Sequence, residues 1–563
     1  MRLNFLNSNS TKPVFCILIL IIITSIIFNY TVEVREPWFG GLSDGHNQRL
    51  TGSTLKFSEY WYQEGPVNLK FTMLENPKSI EFPTLSSRDP YTSYPPGVVF
   101  PIYFASEIIG HEPDVALVMN YDLWNHFLVA LFLSLIIFVF LRQLKIDLLN
   151  SLFFAIIPII MELLLPAPLY WFQNAFFSDQ AVILPFVLYI FLEVLRDDVK
   201  AKNNLMFLNI VQNIIMFYGF LTDWLFVFIA LTVYIKRIIS GEIVLNKKVY
   251  PFIKGSLLYW FVPLLAIALF AAQVYVLGTL SHTVSNAFFR TGVSQNGAKY
   301  LHNGLSIFLG HLTKGYGPVA IPALFISLIS IPLAYYYIYK QKVSCNVEKI
   351  KKTLYLMGML LVPCLLQVCF FRNHSVVHDF SVLKFSVPLA TIPFVLLPIL
   401  ISFVSENSLL KSLNYDINIS KYFKMNFRIF IIFLVVFAAV SSYVIYENPN
   451  YKSFFPGINN NFKIIGDSIA KNTGYNDIIF SPDFEIPENP PQQLAYSMKR
   501  VYKVNSPQAL ENKIKKLKIK GNYDIVVMFL KPPSTDWKEF LDNATVIRDG
   551  NFYYYILNPN NLK

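Results

Sequence analysis

Cysteine is scarce in this chain, with four residues at Cys16, Cys345, Cys364 and Cys369. Three of them lie in apolar runs and Cys345 lies in a lysine-rich stretch. Neither a disulfide framework nor a cysteine-based zinc site is expected from that distribution. Charge is also thin: 15% of the residues are charged, where a soluble protein carries about a quarter. No GxxxxGKS/T, GxGxxG followed by a strand, or HExxH pattern occurs. Those absences argue against a nucleotide-driven pump, a dinucleotide enzyme and a zincin protease. No internal repeat or low-complexity tract stands out.

What the chain does have is apolar sequence: 54% of its 563 residues are hydrophobic and 16% are aromatic. This composition marks an integral membrane protein, with Trp and Tyr suited to the bilayer interface. Runs long enough to cross a hydrocarbon core of about 30 Å occur near 14–30, 123–141, 150–170, 178–195, 205–221, 224–239, 256–278, 317–339, 353–371, 382–404 and 427–446. The first resembles a signal peptide, but no small-residue cleavage site follows it, so an uncleaved first span is expected. The stretch 205–239 is split at Thr222-Asp223-Trp224, because a carboxylate at mid-membrane is costly and one in a surface turn is not.

The net charge of +11 does not call for a nucleic-acid partner, because its placement follows membrane orientation. With the N-terminus inside, the inner segments hold Arg2 and Lys12, then Arg142 and Lys145, then Arg196, Lys200 and Lys202. Further inner segments hold Lys236, Arg237, Lys247, Lys248 and Lys254, then Lys340, Lys342, Lys349, Lys351 and Lys352, then Lys411, Lys421, Lys424 and Arg428. The short outer loops hold only Arg290, Lys299, Lys314 and Arg372. That asymmetry predicts a cytoplasmic N-terminus and, with eleven spans, an extracytoplasmic C-terminus at the cell membrane.

Two outer regions are too long to be turns. The first runs over 31–122 and includes "YTSYPPGVVFPIYFASEIIG", whose short apolar run after Pro95-Pro96 predicts a helix lying in the interface. The second, 447–563, alternates helical patterns ("NNNFKIIGDSIAKN", "SPQALENKIKKLKIKG") with strand-like runs ("DIIFSP", "YDIVVMFL", "NFYYYIL"). It reads as a small external α/β domain after a transmembrane domain over 1–446. The Pro-rich stretch "SPDFEIPENPPQQLAYSMKRVY" inside it is expected to be a surface loop, with binding of an acceptor or partner as the other reading.

Polar interruptions converge on the outer face. Asp44, His46, Arg49, Arg88 and Asp89 fall in the first outer loop, Asp179 opens the fourth span, and Asp223 sits at the next outer turn. His282, Arg290, Lys299, His302 and His311 lie in 279–316, and "FRNHSVVHDFSVLKF" supplies Arg372, His374, His378, Asp379 and Lys384. Ionisable groups at a bilayer often mark a substrate path. Each also has an ordinary role. Asp44 fits a helix cap or solvated loop residue, Asp179 and Asp223 fit helix caps, and Arg290 and Lys299 fit solvated charges or phosphate partners. His374 and His378 share a helical face with Asp379 nearby, which suits interface hydrogen bonds better than a metal site lacking a clear third ligand.

Taken together, "SDGHNQR", "SYPPGVVFPIYF" and, more loosely, "RNHSVVHDF" resemble the GT-C membrane glycosyltransferases. The likeness is to the branch of protein O-mannosyltransferases and the lipid A aminoarabinose transferase, and the layout covers nearly the whole chain. The resemblance implies a polytopic α-helical membrane protein with a C-terminal extracytoplasmic α/β domain. It implies an inverting enzyme that takes a sugar from a polyprenyl-phosphate carrier on the non-cytoplasmic face. It places Asp44 as general base and His46, Arg49, Arg88, Asp89, Tyr94, Asp223, Arg290, Lys299, Arg372, His374, His378 and Lys384 as candidates for substrate contact. The sequence departs from many relatives at Asp44-Gly45-His46, where they carry Asp-Glu, and at Ser93-Tyr94, where they carry His or Lys. His374, His378 and Asp379 do not reproduce the acidic ligand set of the metal-dependent oligosaccharyltransferase branch, so no metal and no cofactor is expected. Expected partners are the polyprenyl-phosphate-linked sugar donor, membrane lipid and a protein, lipid or polysaccharide acceptor. The competing reading is a transporter or flippase of a lipid-linked or anionic solute, although such proteins often carry repeats and midplane charges. A third is a non-catalytic scaffold that binds wall polymers.

Overall fold

A computed structural model describes residues 12–43, 45–199, 201–243, 249–294, 297, 301–317, scattered positions from 322 to 336, and 344–406, 460–486, 489–517 and 522–558. Among these, six helices are long and apolar enough to cross a membrane: Lys12–Trp38, Val115–Gln143, Ser178–Arg196, Tyr250–Val276, Glu348–Phe370 and Asp379–Leu396. A bent pair, Leu148–Leu164 and Pro166–Asn174, adds a seventh span if its two parts cross together. The bend of 58° has a local cause. Leu165 precedes Pro166 and takes extended backbone, as steric conflict with a following proline ring demands.

In chain order the helices up to that bend are α1 (Lys12–Arg35), α2 (His46–Glu64), α3 (Val99–Ile109), α4 (Val115–Gln143), α5 (Leu148–Leu164) and α6 (Pro166–Asn174). There follow α7 (Ser178–Ala181), α8 (Ile183–Arg196), α9 (Lys202–Phe220), α10 (Leu225–Ile239), α11 (Val249–Val276) and α12 (Leu280–Thr291). Next are α13 (Gly304–Tyr316), α14 (Ser344–Phe370), α15 (Arg372–Val377) and α16 (Ser386–Glu406). Helix α4 lies at the centre, against α1, α5, α6, α8 and α16. By contrast α1 and α11 keep most of their apolar surface outward, as helices facing lipid do.

The expected break within 205–239 is present, with α9 and α10 meeting at Thr222-Asp223-Trp224. Both fall short of the six. Helix α10 has 15 residues, and α9 carries Asn203, Asn204, Asn209, Gln212 and Asn213. The expected span at 427–446 and most of that at 317–339 lie outside the described residues.

The segment between α1 and α4 is folded in its own right. A two-stranded ladder of β1 (Met73–Leu74) and β2 (Pro90–Tyr91) pairs Met73 with Tyr91. Trp61 donates its indole N–H to the Thr72 carbonyl at 2.9 Å and packs edge-on against Phe100. The apolar run after Pro95-Pro96 is helical over Pro96–Ile109, with Phe104, Ile108 and Ile109 exposed along it, which suits a helix half-sunk at an interface.

The C-terminal region holds a five-stranded sheet of order β4-β3-β5-β7-β6, from strands Val501–Lys503, Ile478–Ser481, Ile525–Phe529, Phe552–Leu557 and Thr545–Asp549. The β3 strand runs parallel to both neighbours, and β5, β7 and β6 are antiparallel. Continuous burial of β3 and β5 follows from covering both faces. Leu510 and Trp537 pack on one face, and Ile465 and Ile469 of α17 (Asn461–Asn472) pack on the other. The Pro-rich stretch departs from expectation: it contains a short helix, α18 (Pro491–Ser497), with Gln492, Gln493, Leu494 and Ala495 buried. Pro491 at the first helical position starts that turn without losing a bond.

Candidate functional site

The "YPPG" segment builds one wall of a buried polar cluster. Pro95 is extended, Pro96 opens a 3-10 turn over Pro96–Val98, and the Gly97 N–H donates to the Leu221 carbonyl at 2.6 Å. A Cβ on Gly97 would stand 2.3 Å from that oxygen, so only glycine permits the approach. Trp224 donates its indole N–H to the Ser93 carbonyl at 3.3 Å from the same turn. Asp223 accepts the Leu225 N–H at 2.7 Å, the local bond expected of a carboxylate opening a helix.

Lys384 links this wall to α7. Its ammonium lies 2.6 Å from Asp179 Oδ1 and 3.4 Å from Asp223 Oδ1, and the three residues are 3%, 1% and 0% exposed. His374 Nε2 is 3.5 Å from Asp179 Oδ1 and 3.3 Å from the Tyr94 hydroxyl. Gln367 donates to Asp223 Oδ1 at 3.1 Å. Arg290 stacks 4.0 Å over the Tyr94 ring, donates to the Ser93 carbonyl at 3.0 Å and to the Tyr91 hydroxyl at 3.4 Å. Asn286 donates to Ser93 Oγ at 2.9 Å. Chain segments far apart in sequence therefore meet in one place.

The electrostatics follow from one ammonium shared by two buried carboxylates. Burial raises the Asp223 pKa, Lys384 offsets part of that, and the Asp179 charge adds to it. Burial also lowers the His374 pKa, so the ring is a neutral hydrogen-bonding group at pH 7. Burial raises the Tyr94 hydroxyl far above its ordinary value, against the pull of Arg290. Burial works against the Arg290 charge, yet Tyr94, Tyr91 and Asp179 hold its pKa above the ordinary value. Among the described residues, Asp223 Oδ2, Gln367 Oε1 and Ser178 Oγ are buried without a hydrogen-bonding partner.

The segment between α1 and α4 joins the cluster through residues 174–176. Gln48 donates to Asn174 Oδ1 at 3.0 Å, Thr51 Oγ1 accepts the Phe176 N–H at 3.0 Å, and Thr54 donates to the Phe176 carbonyl at 2.8 Å. The start of α2 is thereby fixed to the segment that leads into Asp179.

Asp44 and Lys299 lie outside the described residues, as does the side chain of His46, which opens α2. Of the remaining expected site residues, Tyr94, Asp223, Arg290, His374 and Lys384 come together. His378 borders them, its ring 4.7 Å from that of His374 and stacked 4.9 Å from Phe380. Arg49, Asp89 and Arg372 are exposed and stand apart from these contacts. Arg88 is closed in a structural role: it pairs with Glu64 at 2.7 Å, donates to the Asn76 carbonyl at 3.0 Å and lies over Tyr60. Asp179 corrects the capping expectation, because the N-cap position is Phe177 and the carboxylate turns to Lys384 instead. A carboxylate one residue into a helix looks like a dipole partner in sequence, and nothing local signals the distant lysine. Gln367 and Asn286 carried no sequence signal.

Among the described residues, the one group of three His, Cys, Asp or Glu ligand atoms close enough to share an ion is Glu193, Asp197 and Glu242. The Lys236 ammonium already bridges them, at 3.1, 2.6 and 3.1 Å.

No sequence-family model matches the chain, and neither does any curated protein. Solved structures do. The archaeal oligosaccharyltransferase AglB from Archaeoglobus fulgidus, in complex with an inhibitory peptide and a dolichol-phosphate, aligns with a TM-score of 0.53 at 12% identity, over 94% of this chain and 71% of that one. The same organism's oligosaccharyltransferase in complex with Zn and sulfate gives 0.52 at 13% identity, over 92% of this chain and 69% of that one. The fold is that of the GT-C glycosyltransferases. ArnT from Cupriavidus metallidurans bound to undecaprenyl phosphate aligns over 96% of this chain and 97% of that one, at 11% identity and a TM-score of 0.49.

Proposed function

We propose that this GT-C-fold chain transfers a sugar from a polyprenyl-phosphate-linked donor to an acceptor hydroxyl on the non-cytoplasmic face. Asp44 is the general base. The acceptor oxygen attacks the anomeric carbon, the bond from that carbon to the phosphate oxygen breaks, and the configuration inverts. The acceptor proton passes to Asp44, and the polyprenyl phosphate leaves with the bonding pair. A carboxylate at a low-dielectric boundary keeps enough proton affinity for this task.

The observation that carries the reading is the buried cluster of Tyr94, Asp179, Asp223, Arg290, His374 and Lys384, fixed to the first outer loop through residues 174–176. Arg290 has five N–H donors and gives one to Ser93 and one to Tyr91, leaving others to meet the leaving phosphate. Lys384 fixes both carboxylates and adds positive potential behind that position. The dolichol-phosphate held by the archaeal oligosaccharyltransferase is a ligand of the same chemistry. Eleven spans, a cytoplasmic N-terminus, a transmembrane domain over 1–446 and an extracytoplasmic domain over 447–563 complete the reading. No metal enters it.

The test is transfer of radiolabel from a panel of polyprenyl-phosphate sugars in membranes. Asp44→Asn is expected to lower transfer by at least ~10²-fold, the usual weight of a positioned base, with the fold intact by thermal unfolding. Near-normal turnover in that variant overturns the assignment.

A further inference from the structure

The short helix α18 lies far from the first outer loop in sequence but is bonded to it. Gln492 Nε2 donates to the carbonyl of Ser43 at 3.3 Å and to that of Gly45 at 3.2 Å, the residues on either side of Asp44. The Tyr496 hydroxyl accepts the Leu42 N–H at 3.1 Å. Two glycines permit the approach. A Cβ on Gly52 of α2 would stand 2.9 Å from the Gln492 backbone nitrogen. A Cβ on Gly466 of α17 would stand 2.5 Å from the Tyr496 Cβ. Ala495 is buried in the same core as Leu42, Leu55 and Tyr94, and Gln492 is fully buried.

Packing alone would be served by an apolar side chain at 492. A primary amide has two N–H donors in one plane, so it can fix two carbonyl directions at once. We propose that Gln492, seconded by Tyr496, is a positioning residue that holds the backbone on both sides of Asp44, so that the C-terminal region presets the catalytic loop. The proposal rests on Asp44 being the base. It gives the C-terminal region a part in the chemical step. It also explains the sequence: Pro490-Pro491 starts a helix one residue before the amide, and the chain on either side is tied down.

The test uses the full-length protein in lipid nanodiscs with whichever polyprenyl-phosphate sugar the panel identifies, and undecaprenyl phosphate alone as the binding probe. Gln492→Ala is expected to lower kcat by ~10- to 100-fold, the scale of a displacement of about 1 Å at a reacting group. KM for the donor and undecaprenyl phosphate affinity stay within about threefold. Deuterium uptake rises in the peptide over 41–50. Gln492→Glu, whose carboxylate cannot donate to two carbonyls, is expected to fall below Gln492→Ala. Unchanged kcat and uptake in Gln492→Ala overturn the proposal, as does a loss confined to donor KM. If Gln492→Ala does not fold, Tyr496→Phe decides, with a severalfold fall in kcat expected and an unchanged kcat overturning the proposal. Turnover retained in Asp44→Asn overturns the base assignment and this role with it. Wild-type turnover in Gln492→Ala beside an inactive Asp44→Asn overturns this role alone.

Discussion

The helix Ser178–Arg196 carries a cluster of charge around a buried carboxylate at each end, with Asp179 and Glu193 about 21 Å apart at 1.5 Å per residue. At the Arg196 end, Glu193 gives one oxygen to Lys236 and the other to Arg237 and Gln212. Lys236 also holds Asp197 and Glu242, and Arg196 holds the second oxygen of Glu242. Three acids meet three bases, and each is paired. At the Ser178 end, one lysine serves two carboxylates, Asp223 Oδ2 has no partner among the described residues, and Arg290 stands beside them with N–H donors beyond those given to Ser93 and Tyr91. Both clusters bear the cost of burying charge, which pairing repays only where the geometry is complete. The closed one staples helices. The open one has polar atoms left over, as a site for a charged ligand requires.

The largest expected effect comes from removing the central lysine at each end. Lys384→Met strands two buried carboxylates, at a cost of ~3–5 kcal/mol, whereas Lys236→Met leaves Glu193 with Arg237 and frees two exposed acids, so both lower the thermal midpoint and Lys384→Met lowers it more. Only Lys384→Met should also abolish transfer per folded molecule. Equal residual activity in the two variants would break the contrast.

The acids sharpen it further. Asp223→Asn keeps the oxygen that accepts from Leu225, Gln367 and Lys384 and replaces only the unpartnered one with an amide NH2, so stability should move by about 1 kcal/mol while transfer falls about 100-fold. Glu193→Gln strips a fully paired charge and should cost ~3 kcal/mol with the rate per folded molecule unchanged. Denaturant titration and transfer assays on the same preparations read both. A smaller effect is expected at Gly97, where Gly97→Ala must push "YPPG" away from Leu221. Overpacking of that kind costs ~1–3 kcal/mol, and Trp224 fluorescence should report the displaced turn.

The smallest effect is in pH. Burial holds His374 below its ordinary value, so just below about pH 6.5 the folded protein binds fewer protons at this ring than the unfolded chain does. The stability it contributes is complete above that pH and is lost as pH falls through the folded value. His374→Gln should therefore flatten the fall of the thermal midpoint between pH 7 and 5. An unchanged slope would show that the ring is not held neutral.

Much of this was legible in the sequence, and the reason is periodicity. Apolar runs of span length, the break at Thr222-Asp223-Trp224 and the strands Ile478–Ser481, Ile525–Phe529 and Phe552–Leu557 follow from local pattern alone. Asp223, Arg290, His374 and Lys384 were visible as polar interruptions of an apolar chain, and Tyr94 through the family resemblance. Their assembly was not visible, and Asp179 was misread, because a helix-start carboxylate has the same local signature as a cap or an ion-pair partner. Arg88 erred the other way: a cation in an outer loop looks available until Glu64 and Tyr60 close around it. The stretch around Gln492 was taken for a loop because proline clusters usually mark one, whereas here Pro491 begins a buried turn.

The sequence by itself determined that the chain is helical and apolar, where its helices break, and that a mixed α/β region ends it. Those properties depend on neighbours a few residues away. Only the tertiary structure decided which charges are spent on stability and which are left open. A carboxylate's role depends on what stands within about 4 Å of it, and here those partners come from distant parts of the chain.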